Sequence, residues 1–349
     1  RVRLFTNSNR TRTNRITNMQ NEIEMLAALF LEQGFEQKTL KIQGEKVYRV
    51  QIGGLRHYRR KSGGIYKSLT TFLSAVMPSN RHLENWKMNL AAELGSRESV
   101  DDFVEKTAGY GSALHIAAAD YCRNNGVDWL EFEQQAHQML SDAGLSADSI
   151  EYALPEFIKD FACLVQFFHD YRVTVLAVEI PVWMEEGVAT LIDLVVEMDA
   201  KNYDKTPPEK RERHHAIINL KSGKKGFFES HIMQLVGERM MFNHVYSESL
   251  GFEIEHVYNL APSDWKEKPS YKIKNQTETI GFENMAEQFK LFLQIGKARK
   301  VLTPPSKKYP VFTGRTNYGE NPCDALTIHS YDEFSKLKIE KHHANNSKD

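Results

Sequence analysis

The feature that most constrains this chain is a change of period near residue 172. Upstream, apolar residues recur at helical spacing. Downstream, two β-branched runs, 173–183 and 188–198, flank Glu185-Glu186-Gly187, and such runs around a glycine turn predict a β-hairpin. A third run, 215–221, predicts another strand, 229–246 a helix, 252–260 a strand and 283–300 a last amphipathic helix. A polar linker over 199–213, with Pro207-Pro208, separates the hairpin from the third strand. The order helix, strand, strand, strand, helix, strand predicts an α/β core: a mixed central sheet flanked by helices.

Upstream of the switch, Ile23, Leu26, Ala27, Phe30 and Leu31 predict a helix over 21–35. Short alternating runs at 39–42, 47–52 and 55–60 predict a small hairpin unit carrying the basic stretch Arg56 to Gly64. Ser68 opens a helical region, and 83–94 forms a helix around Trp86. Ser99-x-x-Asp102 has the spacing of a capping box. Gly109 and Gly111 are expected to break the pattern, so that His115 lies on the first turns of a new helix; 128–143 and 155–171 follow as helices. Residues 1–18 hold five arginines and no acid, and Met19 follows directly. That segment is vector-derived or upstream read-through, a transit peptide, or a basic arm for DNA. The chain then divides into 1–18, an N-terminal helical and hairpin extension 19–109, a core 110–300 and an extension 301–349, whose polar end is expected to be disordered.

Composition narrows the classes. The net charge of −1 means that phosphate binding must come from local patches. No apolar run approaches the roughly 18–20 residues that span a bilayer, so no membrane partner is expected. Cys122, Cys163 and Cys323 lie far apart, predicting a reducing compartment and excluding a four-cysteine iron–sulfur cluster.

The chemistry is concentrated at strand ends. Asn219 and Lys221 are two apart on a predicted strand, so they share a face. Asp193 stands alone amid Thr190-Leu-Ile and Leu194-Val-Val, where an unpaired carboxylate is costly unless a cation or hydrogen bonds compensate it. A metal site and a partly buried ion pair of Asp193 are both open. Asp264-Trp-Lys266 fits the bare acid-x-Lys letters better than Asn219-Leu-Lys221, but it sits in a loop-like run between prolines. Arg56, Arg59, Arg60, Lys61, Lys224 and Lys225 are candidates to grip backbone phosphates. Tyr58 and Tyr66 could stack on bases.

Four segments in order resemble the PD-(D/E)XK nuclease superfamily, in its RecB-like branch of phage-type and mitochondrial genome maintenance exonucleases. They are Tyr66-Lys-Ser-Leu-Thr-Thr-Phe-Leu with Leu83-Glu-Asn-Trp86; Gly111-Ser-Ala-Leu-His115; Ala189-Thr-Leu-Ile-Asp193; and Ile217-Ile-Asn-Leu-Lys-Ser-Gly-Lys, followed by Gln234. The resemblance implies a restriction-endonuclease-like core with an N-terminal helical extension and a metal-dependent DNA exonuclease in replication, recombination or repair. It implies Mg²⁺ or Mn²⁺ held by His115, Asp193, position 219 and the Leu220 carbonyl, with Lys221 catalytic and Gln234 positioning Lys221 or DNA. It also places Ser68 among the DNA-contacting residues, and leaves Glu179 and Asp120 as candidates behind the ligands. Single-stranded DNA or duplex ends would be the partners, with replication or recombination proteins as further candidates, in a bacterial or phage-infected cytoplasm or in a mitochondrion.

This sequence departs from that pattern in three places. Position 219 is Asn where the pattern has Asp: an inactivating substitution, or a natural member that keeps the fold as a DNA-binding or assembly protein. Glu238 stands where the pattern has Tyr, four after Gln234. The acid after His115 is Asp120, one residue later than in the pattern.

Overall fold

A computed structural model describes residues 12–33, 42, 44–52, 55–78, 81–124, 126–201, 207, 210–224, 226–303, 311–316 and 327–328. Among these, ten strands form one mixed, open sheet with helices on both faces, so the chain is α/β. The strands are β1 (Val47–Ile52), β2 (Leu55–Arg60), β3 (Ile65–Ser68), β4 (Thr174–Met184), β5 (Val188–Asp199), β6 (Arg213–Leu220), β7 (His256–Pro262), β8 (Tyr271–Asn275), β9 (Val311–Thr316) and β10 (Thr327–Ile328). The helices are α1 (Arg12–Gln33), α2 (Leu69–Val76), α3 (Arg81–Leu94), α4 (Arg97–Asn124), α5 (Trp129–Asp142), α6 (Ala147–Asp170), α7 (Glu229–Leu250) and α8 (Phe282–Ala298).

The sheet runs β10-β9-β1-β2-β3-β5-β6-β7-β8, with β4 on β5. The predicted hairpin is β4–β5, antiparallel from Thr174↔Glu197 to Met184↔Val188. Because β4 occupies one edge of β5 along its length, β3 and β6 must share the other edge. β3 pairs there in parallel at Val188 and Ala189, and β6 antiparallel from Leu194 to Asp199. Residues 190–193 lie in the gap between them. This interruption positions the site.

Strand alternation sorts the faces. Ala216, Ile218 and Leu220 of β6 join a core built from α1, α4, α5 and α6, whereas Ile217 joins the core of α2, α7 and α8. Asn219 and Lys221, in step with Ile217, therefore point to α7. Burying two aliphatic faces this way supplies the main cohesive force, at about 25 cal/mol per Å² of apolar surface. No helix of the described residues is long and apolar enough to cross a membrane.

Several boundaries differ from expectation. Gly109 and Gly111 do not break the helix: α4 is continuous, and His115 lies well inside it rather than on its first turns. These glycines serve close approach. A Cβ at Gly109 would lie 2.7 Å from the Ala143 carbonyl oxygen and 2.7 Å from Leu145 Cδ1, and one at Gly111 would lie 3.0 Å from Ser222 Oγ. α4 thus crosses the expected boundary at 109/110, and β3 ties the 19–109 segment into the sheet of the core.

Ser96, not Ser99, caps α4, its hydroxyl accepting from the Ser99 N–H at 3.1 Å. α6 starts two turns before Pro155, capped by Ser146, because a proline removes only one N–H and the buried face of this helix holds the turn. β8 was not expected; it is an edge strand with exposed Lys272 and Lys274, which hide its β character. The strand expected at 39–42 lies outside the described residues except for Ile42, whose N–H donates to Leu176 O at 3.1 Å. Residues 1–11, Cys323 and the tail expected to be disordered also lie outside the described residues.

A mid-helix glycine exchanged for alanine normally stabilises by up to about 1 kcal/mol. For Gly109→Ala the close carbonyl reverses the sign, and equilibrium urea denaturation should show a loss of about 1–3 kcal/mol. An increase in stability would contradict the packing described.

Candidate active site

Asp193 sits where β5 has lost β3 and not yet gained β6. The pairing of β5 with β6 ends at Leu194↔Ile218, and the next inward N–H, that of Leu220, donates instead to Asp193 Oδ2 at 2.8 Å. The other oxygen, Oδ1, lies 3.1 Å from His115 Nδ1, contributed by α4 across the gap. Burial works to raise the Asp193 pKa, but His115, Lys221 and the Leu220 N–H outweigh it and hold the carboxyl below its ordinary value. On β4, opposite this point, Glu179 adopts φ +49°, a left-handed conformation that costs a non-glycine residue roughly 1–3 kcal/mol.

β6 and α7 supply the other half. Lys221 Nζ donates to Gln234 Oε1 at 3.1 Å, Gln234 Nε2 donates to Glu238 Oε1 at 2.7 Å, and Asn219 Nδ2 donates to both Glu238 oxygens at 3.2 and 3.3 Å. Gln234 and Glu238 are one helical turn apart, so both face β6. Asn219 Oδ1 is buried and has no hydrogen-bond partner. Burial pulls the Lys221 pKa below an ordinary lysine's, against the attraction of Asp193 and Glu238. Burial, reinforced by the Asp193 charge, pushes Glu238 up to about 8, against Lys221 and the two amide hydrogen bonds.

These groups open on a cleft of about 1610 Å³. His115, Asp193, Asn219 and Lys221 line it, and so do Arg49, Arg56, Lys87, Tyr58 and Trp86. Arg49 is opposite Tyr58 in the β1–β2 register, and Arg56 is two residues from Tyr58, so the three share a face.

Of the expected site residues, the structure gathers His115, Asp193, Asn219, Lys221 and Gln234. Asp120 and Glu179 also reach the cleft, joined through Arg123, which contacts them at 3.4 and 2.7 Å. Among the described residues of the expected phosphate-binding set, Arg56 lines it and Arg59, Arg60, Lys61 and Lys224 do not. Arg60 is engaged by Glu45 at 2.9 Å and lies 3.7 Å over the Trp183 ring; Arg59 is buried; Lys61 stands on the hairpin turn. Tyr66 is buried, with its hydroxyl 3.3 Å from Arg60, and Ser68 is buried as the N-cap of α2.

Lys224 meets three carboxylates, Glu156, Asp160 at 3.0 Å and Asp264 at 2.8 Å, so its charge is spent on its own chain. Asp264, which fitted the motif letters, serves this latch. Lys225 lies outside the described residues. Sequence reading missed Arg49, Lys87 and the role of Glu238. The alternation that pairs Arg49 with Tyr58 could have found the first; Glu238, noted only as a departure, needed its helix register against β6.

Among the described residues no three His, Cys, Asp or Glu side chains gather to hold a metal. The residues that would hold one are of mixed donor type: Asp193 Oδ1 and His115 Nδ1, 3.1 Å apart, and the Asn219 oxygen of the same cleft, which has no hydrogen-bond partner. Nitrogen with neutral and charged oxygen is a donor set that suits Mn²⁺ at least as well as Mg²⁺.

Because Glu238 keeps its proton to a higher pH folded than unfolded, its contribution to stability is present at low pH and lost as pH rises through about 8. The opposing contribution of His57, His169, His214 and His231, whose charged forms burial disfavours in the fold, dies away as pH rises beyond about 6.5. Stability should therefore fall from pH 6.5 to 8 with a slope of up to about 1.4 kcal/mol per unit, and Glu238→Gln should flatten it. An identical slope in both proteins, by chemical denaturation across that range, would remove Glu238 as the cause.

Comparison of the chain with protein-family models and with curated proteins gave no match, so the function rests on the geometry of this cleft.

Proposed function

We propose that this chain is a metal-dependent DNA nuclease, an exonuclease by its resemblance to the RecB-like branch of the PD-(D/E)XK superfamily. The observation that carries the reading is the meeting of His115, Asp193, Asn219 and Lys221 at one break in the sheet. The order of elements supports it: the hairpin β4–β5, then β6, α7 and β7, follows the strand, strand, strand, helix, strand order read from the sequence, in a mixed sheet flanked by helices.

His115, Asp193 and the Asn219 oxygen would hold Mn²⁺ or Mg²⁺, which supplies a Lewis acid and a bound water of lowered pKa. Lys221, held by Gln234 and poised by burial, would face the scissile phosphate and offset the charge that develops there. Arg49, Arg56 and Lys87 would take adjoining phosphates, which gives a chain of net charge −1 the local basic wall it needs. The cleft exceeds the roughly 300–1,000 Å³ of small-molecule pockets, as suits a polymer.

A second reading has its own observation. The Asn219 amide is bound to Glu238, and the missing carboxylate leaves two conventional ligands. A DNA-binding or assembly protein that keeps the fold without the chemistry would look like this. Digestion of end-labelled single-stranded and duplex DNA separates the two. The nuclease reading expects Mn²⁺-dependent cleavage that rises in Asn219→Asp, where a charged ligand is added. In that background Lys221→Ala should lower the rate about 10²–10³-fold with DNA binding retained. DNA binding without cleavage in either the parent or Asn219→Asp would favour the degenerate binder.

A further inference from the structure

Glu238 has no task in the reading above, yet it is wholly buried in contact with Asn219 and Gln234. Its Oε1 accepts from two amides, Gln234 Nε2 at 2.7 Å and Asn219 Nδ2 at 3.2 Å. An amide that gives its nitrogen to one side must turn its oxygen to the other. The Gln234 oxygen is thereby turned to Lys221, which it meets at 3.1 Å. The Asn219 oxygen is turned away from Glu238 and becomes the buried atom without a partner. One carboxyl on α7 thus sets the direction of two amides on opposite sides of it.

We propose that Glu238 is a positioning residue of this site and that Asn219 and Glu238 are a matched amide–carboxyl pair. The acidic group that the nuclease pattern places at 219 stands one layer back, on α7, and the amide at 219 is its complement. The pair leaves the Asn219 oxygen uncommitted in the cleft that His115 and Asp193 also line, and through Gln234 it holds Lys221. The metal half of this proposal rests on the nuclease reading; the pairing does not.

The arrangement makes a specific demand. An aspartate at 219 would replace the amide donor by a second carboxyl against Glu238; two buried carboxyls in contact cannot both ionise cheaply and must share a proton where the parent has an N–H. Glutamine at 238 would then restore an N–H for the new carboxylate while still accepting from Gln234. The two changes should be strongly non-additive.

The test is a cycle of the parent, Asn219→Asp, Glu238→Gln and the double variant, followed by thermal denaturation at pH 8 and by Mn²⁺ titration with electron paramagnetic resonance. Asn219→Asp alone should lose on the order of 5–10 °C in Tm, and the double variant should recover most of that loss. Separately, Glu238→Leu fills the volume but removes the acceptor. Two amide N–H groups then lose their buried acceptor, so Tm should fall; Mn²⁺ binding by the folded protein should also weaken about tenfold or more, whereas a purely structural role would leave the affinity of the folded protein unchanged.

Additive Tm changes, or a double variant as poorly folded as Asn219→Asp, overturn the pair. An Mn²⁺ affinity that Glu238→Leu leaves unchanged overturns the positioning role. Coupled stabilities with no Mn²⁺ binding by any protein in the cycle would support the pair and contradict the nuclease reading, so the two failures are distinguishable.

Discussion

Asp193 is half-buried in the stretch of β5 that neither β3 nor β6 pairs, and the cleft is organised around how that carboxylate is satisfied. β5 cannot pair with β3 and β6 at the same residues, so a stretch of one edge is open. The Leu220 N–H, which would otherwise be orphaned as β6 pulls away, is taken by Oδ2, and His115 meets Oδ1. An unpaired carboxylate here would cost several kcal/mol. The same hydrogen bond that stabilises the acid fixes the end of β6, and with it the direction of Asn219 and Lys221. Continuity of α4 through Gly109 and Gly111 matters for the same reason: it brings His115 over the gap.

A second layer stiffens the first. From Lys221 through Gln234 and Glu238 to Asn219 runs an unbroken chain of hydrogen bonds anchored on α7. Groups held this way lose little freedom on meeting a substrate, which is what electrostatic catalysis and metal binding need. The cleft carries both signs of charge: Asp193, Asp120 and Glu179 line it together with Lys221, Arg49, Arg56 and Lys87. Lys224, the next cation after the motif, is neutralised by Glu156, Asp160 and Asp264, and so latches the loop after β6 to α6.

What could be read from sequence follows from what is local. The hairpin β4–β5 and the strand carrying Asn219 and Lys221 announce themselves by period and by a glycine turn, and the motif residues Asp193, Asn219 and Lys221 lie on or just past these strands. The parts that could not be read are tertiary. Gly109 resembles a helix break because its reason for being glycine, the Ala143 carbonyl, lies in another segment. Arg60 and Lys224 look like free cations until Glu45, Trp183 and Asp160 are folded against them. Glu238 looks like a defect in a pattern until its register against Asn219 is seen.

The central claim is that Asp193 anchors a single divalent-cation site shared with His115 and Asn219. Titration of the parent protein with Mn²⁺, followed by electron paramagnetic resonance and repeated on Asp193→Asn, tests it most directly. One Mn²⁺ bound per chain, lost in Asp193→Asn while the fold is kept, is the expected result. Mn²⁺ binding that persists undiminished without the Asp193 carboxylate, or no binding by the parent, would contradict it.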